Sequence, residues 1–141
     1  MRRVLFITFA VGLLGLAFGA GVALGQKKNK AGMPTSVLHI VTLNWKAEAT
    51  AEQRQKALDG IKTMGEKIPG IKNIWLEKLR SQMGDGKSWD QIFAIEFASK
   101  AAAEAYVNDP AHKAWEEIYT AARQESRSHQ VTNPAPGAMK K

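Results

Sequence analysis

The chain has 141 residues, a net charge of +7 and no cysteine. That is one domain with extensions, and it excludes disulfides, thiolate nucleophiles and cysteine-held metals. All 13 acidic residues and 13 of the 20 basic ones fall between Val37 and Thr132, so that stretch is neutral and the excess sits on Arg2, Arg3, Lys27, Lys28, Lys30, Lys140 and Lys141. A nucleic-acid-binding surface carries its basic residues on the folded domain. Here they flank an apolar run or end a tail, so no nucleic acid is expected and membrane targeting is.

Arg2-Arg3 precedes an apolar run from Val4 to Gly25, the basic-then-apolar pattern of an export signal. Ala23-Leu24-Gly25 puts small residues where cleavage before Gln26 needs them. The same run is about long enough to cross a bilayer uncleaved, with Gly15 and Gly19 spaced for helix packing. Lys27, Lys28 and Lys30 oppose translocation and favour that alternative. Residues 1–25 are thus read as a signal peptide or, alternatively, as a membrane anchor through residues 4–25. The expected location is periplasmic or secreted, the alternative membrane-anchored. Residues 26–36, rich in Lys, Gly and Pro, read as a linker.

Val37 to Trp45 is β-branched and apolar, which predicts a strand. His39, Val41, Leu43 and Trp45 share one face and Leu38, Ile40, Thr42 and Asn44 the other. Both faces are partly apolar, so both are expected to be covered. Thr50-Ala-Glu-Gln53 matches a capping box and opens a helix to about Lys67, with Leu58, Ile61, Met64 and Ile68 as its apolar stripe. Ile68-Pro69-Gly70 stops it. A second strand is expected from about Ile71 to Arg80 and a loop from Ser81 to Ser88. A third strand, about Trp89 to Ala98, places Phe93, Ile95 and Phe97 on one face.

Ser99 caps the next helix, expected over Lys100 to Asn108. Asp109 reads as a second N-cap and Pro110 as the first residue of a helix running to about Glu125. His112 then falls at N3, where the positive end of the helix dipole favours an uncharged ring. Tyr106 lies close enough across the turn to share a pocket with it. The plainer reading of Tyr106–Trp115 is helix punctuation with an aromatic lid on the core. The second helix has the stripe Ala111, Trp115, Ile118/Tyr119 and Ala122. A last strand is expected over Ser126 to Thr132, and Pro134 onward, within 133–141, reads as a disordered tail.

The order β-α-β-β-α(α)-β is the split-βαβ, ferredoxin-like order. It predicts an α+β fold: a four-stranded antiparallel sheet with helices on one face. The other face cannot stay wet without cost, because burying apolar area is worth roughly 25 cal/mol per Å². Sheet-to-sheet homodimerisation into a dimeric α+β barrel solves this and encloses a cavity.

Residues 37–132 resemble the stress-responsive A/B-barrel (Dabb) family. The resemblance rests on His39-Ile40-Val41, on Ile68-Pro69-Gly70, on the strand Ile92 to Phe97 leading to Ser99, and above all on Tyr106-Val-Asn-Asp-Pro110-Ala-His112. It implies a dimer of ferredoxin-like subunits whose sheets face each other. Most members have no established biochemistry. A few plant relatives are polyketide cyclases, in which a Tyr and a His hydrogen-bond and act as acid and base in an aldol closure. Carried over, that pair is Tyr106 and His112, with His39 as a second polar group. A further His of the cyclase-like members stands as Gln91 here, a departure that weakens the enzyme case.

Two functions follow. The first is an exported, dimeric, small-ligand-binding or structural module, with His39, Gln91 and Trp115 touching a small apolar ligand. The second is a cofactor-free enzyme of cyclase or lyase type, with His112 as general base and Tyr106 as its acid or orienting partner on an apolar carbonyl compound. No cofactor is expected, and no metal, because His39, His112 and His129 show no ligand spacing.

Overall fold

The computed structural model describes residues 32–82 and 84–135. Four strands and three helices follow in the order β1 (Val37–Trp45), α1 (Ala51–Lys67), β2 (Ile71–Trp75), β3 (Gln91–Phe97), α2 (Lys100–Ala105), a 3₁₀ turn (Tyr106–Asn108), α3 (Pro110–Ala122) and β4 (Arg123–Val131). The strands make one antiparallel sheet ordered β2-β3-β1-β4. This is the expected ferredoxin-like α+β fold. The described residues from Met33 onward form a compact unit of their own. Among the described residues no helix is long and apolar enough to cross a membrane. The signal or anchor, residues 26–31 of the linker, and the tail from residue 136 lie outside the described residues.

Strand alternation decides what is buried. On β1, Val37, His39, Val41, Leu43 and Trp45 are buried beneath the helices, and Leu38, Ile40, Thr42 and Asn44 are half-exposed on the other face. The sequence left open which face the helices take. They take the face with the larger side chains, joined there by Phe93, Ile95 and Phe97 of β3. Helix α1 contributes Ala57, Ile61 and Met64, and α3 contributes Trp115, Tyr119 and Ala122.

The helix ends behave as the sequence predicts. The Thr50 hydroxyl accepts from the Gln53 N–H at 3.2 Å, and the Gln53 side chain accepts from the Thr50 N–H at 2.8 Å. Gly70 turns the chain with φ +88°, a conformation that an L side chain resists. Two boundaries differ. β2 stops at Trp75 rather than near Arg80, because the Gln91 side-chain amide takes the Leu76 carbonyl and ends the ladder. Helix α3 ends at Ala122 rather than Glu125, and β4 begins at once. The helical propensity of Arg123-Gln-Glu is overridden by pairing with Trp45 and Asn44. On α3, moreover, His112 is buried while Ala111 and Ile118 are only half-buried, so the inward stripe is His112, Trp115, Tyr119 and Ala122.

Pairing of β1 with β4 slips by one residue: Asn44 faces Glu125 and Trp45 faces Arg123, leaving Gln124 as the extra residue of a bulge. Ser126, Ser128 and Gln130 face Leu43, Val41 and His39, so they lie on the helix-covered side. Strict alternation would put Arg123 on the opposite side; the bulge brings it to theirs.

Trp115 locks α3 onto α1. Its Nε1 donates to the Ala57 carbonyl at 2.8 Å, and its ring stacks on Tyr119 with centroids 4.6 Å apart. A Cβ at Gly60 would lie 2.5 Å from Cδ1 of this pinned ring. Ala is favoured over Gly in a helix by up to about 1 kcal/mol, yet overpacking costs roughly 1–3 kcal/mol. Gly60→Ala should therefore destabilise the domain by about 1–2 kcal/mol in urea unfolding and perturb tryptophan fluorescence. An unchanged or raised midpoint would show that the contact yields freely.

Candidate functional site

The site is built where α2 gives way to α3. Asp109 Oδ1 accepts from the Ala111 N–H at 2.8 Å, Pro110 fills the first helical position, and the Asp109 N–H donates to the Tyr106 carbonyl at 3.0 Å. This cap holds Tyr106 at the end of one helix and His112 at N3 of the next. Their rings meet edge to face, centroids 4.7 Å apart and 79° between planes. The Tyr106 hydroxyl hydrogen-bonds to His39 rather than to His112: its oxygen is 3.3 Å from His39 Nε2. Phe97 packs against the same phenol at 4.7 Å.

His39 is fully engaged. Its Nδ1 lies 3.4 Å from the Gln130 side-chain amide across the β1–β4 ladder. Gln130 therefore sets the imidazole proton. If its N–H₂ donates to Nδ1, the proton sits on Nε2 and is offered to the phenol oxygen, freeing the phenol O–H to donate elsewhere. If its carbonyl accepts from Nδ1, the phenol donates to Nε2. Burial depresses the His39 pKa, and the nearby His112 adds to this. Burial raises the Tyr106 pKa, helped by Glu116 and then Tyr119. Both groups are thereby held neutral near pH 7.

A cavity of about 210 Å³ opens beside these rings, between the sheet and α3. Val41, Phe93, Ile95 and Trp115 give it an apolar wall, and His39, Tyr106, His112, Tyr119, Arg123, Ser126 and Ser128 a polar one. The exposed residues Val107 and Glu116 line it on the solvent side. A larger hollow, about 390 Å³, lies on the opposite sheet face beside Leu38, Trp75 and Val131. It lacks the paired ring groups, so chemistry rather than size selects the cavity under α3. Alternation on β1 sends His39 toward the helices, so the ring cluster and its cavity lie between sheet and helix of a single chain and not on the uncovered sheet face.

Of the residues expected at the site, Tyr106, His112, His39 and Trp115 line the cavity. Gln91 does not. It shares the helix-facing side of the sheet, but its amide is spent on the Leu76 and Ile92 carbonyls, and it borders a separate hollow with Leu76 and Asp90. Tyr119, Arg123 and Gln130 were not foreseen. The spacing His112, Trp115, Tyr119, Arg123 follows one helix stripe and could have indicated two of them. Gln130 depends on strand register, which the sequence did not fix. Among the described residues no group of three His, Asp or Glu side chains could hold a metal.

Fold and site together define a ferredoxin-like α+β domain with a small cavity under its last helix, walled by a His–Tyr–His cluster. The family model for the stress responsive A/B barrel domain, Dabb, matches residues 37–132, and the chain belongs to that family. Solved structures that share the fold include the following three. A dimeric ferredoxin-like protein of unknown function from Bacteroides fragilis is 18% identical, with TM-score 0.56, covering 72% of this chain and 100% of its own. A Dabb family protein from Mesorhizobium loti is 18% identical, with TM-score 0.57 and coverages of 71% and 98%. Hydroxynitrile lyase from Passiflora edulis is 15% identical, with TM-score 0.63 and coverages of 72% and 96%. No curated protein matches the chain.

The depressed His39 pKa makes stability depend on pH. As pH falls, the unfolded chain protonates this imidazole first, so its contribution is complete above about pH 6.5. It is lost as pH drops toward the lower folded-state pKa. Urea midpoints measured from pH 7.5 to 5 should fall more steeply for the native protein than for His39→Gln. Parallel curves would mean that His39 is not held neutral by burial.

Proposed function

We propose that the protein is an exported, homodimeric A/B-barrel module that binds one small, largely apolar ligand per subunit, without a cofactor. The cavity carries this reading: it is apolar on one wall, polar on the other, and its rings are fixed by the cap at Asp109 and by His39. Pockets for small ligands have this composition, with few polar groups that set orientation. At about 210 Å³ it is somewhat larger than an apolar cavity of about 150 Å³ that takes benzene, and so suits a molecule of about one ring.

Dimerisation is supported by the uncovered sheet face. Leu38, Ile40, Ile92 and Ala94 lie there, with Trp75 48% and Val131 53% exposed at its margins. A contiguous apolar patch of this kind marks an interface, and the similar Bacteroides fragilis protein is described as dimeric. Export is supported by the Arg2-Arg3 and apolar Val4–Gly25 pattern.

Native mass spectrometry on full-length protein expressed with its N-terminal segment and purified without added ligand tests all three points. The expected result is a dimer beginning at Gln26 that retains a small molecule. Ile40→Glu on the uncovered face should give a monomer at micromolar concentration. A native chain that is already monomeric overturns the dimer, and a chain still beginning at Met1 overturns cleavage.

A second reading is favoured by the Tyr106–His112 contact. A cofactor-free enzyme would use His112 to remove a proton beside a carbonyl, while the phenol donates to the developing enolate oxygen. The fold is shared with a hydroxynitrile lyase. In D₂O such a site should speed deuterium entry at the methyl group of acetophenone, followed by NMR. His112→Ala and Tyr106→Phe should each lower the rate by about 100-fold or more. A native rate equal to buffer would rule this chemistry out for simple aryl ketones.

A further inference from the structure

We infer that the cavity takes a small organic acid: an apolar body bearing one carboxylate, with the carboxylate held against Arg123 and Tyr119. This rests on the ligand-binding reading above and adds the chemical class of the ligand.

Three buried side-chain polar atoms among the described residues have no hydrogen-bond partner: His112 Nδ1, Tyr119 OH and Arg123 Nε. All three residues line the one cavity. His112 is 7% exposed and Tyr119 5%. Protein interiors satisfy such groups almost without exception. Three orphans on one wall, facing an apolar wall whose groups need nothing, are what a site looks like when its polar partner comes from a ligand.

The backbone has been bent to place the third of them. Arg123 follows directly on α3, and the Asn44/Trp45 bulge gives it the same side of the sheet as Ser126 and Ser128. Bulges re-aim side chains beside functional sites. Once there, the guanidinium is held on two sides: Nη1 donates to Ser126 Oγ at 2.7 Å, and the group lies 4.9 Å from the centre of the Tyr119 ring. Its Nε–H is left without an acceptor.

Charge selects an acid. No ion pair joins Arg123 to a carboxylate among the described residues. Glu116 also lines the cavity, but it is exposed, makes no ion pair with Arg123, and its charge acts on Tyr106. One carboxylate would accept from Arg123 Nε and from the Tyr119 hydroxyl, both charge-assisted bonds. A single guanidinium matches a monoanion better than a phosphate dianion. The body of the acid then lies on Phe93, Ile95 and Trp115, which leads it toward Tyr106 and His112.

Benzoate and benzamide have the same shape and differ in charge, so they separate the acid from its apolar body. Calorimetric titration of the full-length protein at pH 7.5 should show benzoate binding about tenfold or more tightly than benzamide. Arg123→Gln and Tyr119→Phe should each remove most of that preference, lowering benzoate affinity by more than benzamide affinity. Tyr119→Phe deletes a hydroxyl with no internal partner, so its Tm should equal or exceed that of the native protein, and its loss of benzoate cannot be ascribed to misfolding. Benzoate no tighter than benzamide, or a preference that survives both substitutions, overturns the acid and leaves the ligand pocket standing. If neither compound binds at millimolar concentration, both readings fall.

Discussion

A strand that buries one face must bury every residue on it. On the central strand β1, hiding Val41, Leu43 and Trp45 under the helices carries His39 in with them. A buried imidazole has two nitrogens to satisfy and a charge it cannot keep. Tyr106 meets one nitrogen and Gln130 the other, from elements 67 and 91 residues away in the chain. The position of the 3₁₀ turn and the register of β4 are therefore both tied to one ring. The cap at Asp109 and Pro110 completes the arrangement by placing His112 against the same phenol.

The polar groups along α3 are satisfied unequally, and the inequality has a direction. At the N-terminal end the Asp109 carboxylate, the phenol and both nitrogens of His39 have partners, and His112 Nδ1 alone does not. Further along, Tyr119 and Arg123 pack against each other but leave a hydroxyl and an Nε–H unmet. Between them Trp115 is fixed by Ala57 and by Gly60, which leaves room for its ring only by having no side chain. The end by Tyr106 and His39 is thus organised mainly by contacts within the protein, and the end by Tyr119 and Arg123 holds two donors with nothing to donate to. A cavity with such a gradient orients whatever enters it.

Much of this was legible in the sequence because it depends on local chemistry. The capping box at Thr50, the N-cap at Asp109, the Pro-Gly stop and the alternation in Val37–Trp45 each fix geometry within a few residues, and each holds. The Tyr106–His112 element was legible as a motif, and the two rings do meet. What failed was non-local. Arg123-Gln124-Glu125 reads as helix and becomes strand, because pairing with β1 outweighs propensity. Gln91 was placed at the site by resemblance, yet its amide is taken up in ending β2. Which face of β1 the helices choose is a question about the whole core, and both faces are apolar enough to answer it either way. The bulge that turns Arg123 inward leaves no mark in composition at all.

The two faces of β1 also divide the labour of the molecule. Leu38 and Ile40 point away from the helices, while His39 and Val41, their immediate neighbours, point into the cavity. A partner sheet laid on the outer face would touch the strand that bears the site without entering the site. Covering that face would restrain β1 and its ladder to β4, and with them the His39–Gln130 contact that sets the imidazole proton. Dimerisation would then stiffen each cavity from behind and leave the side by α3, where Val107 and Glu116 meet solvent, free for a ligand.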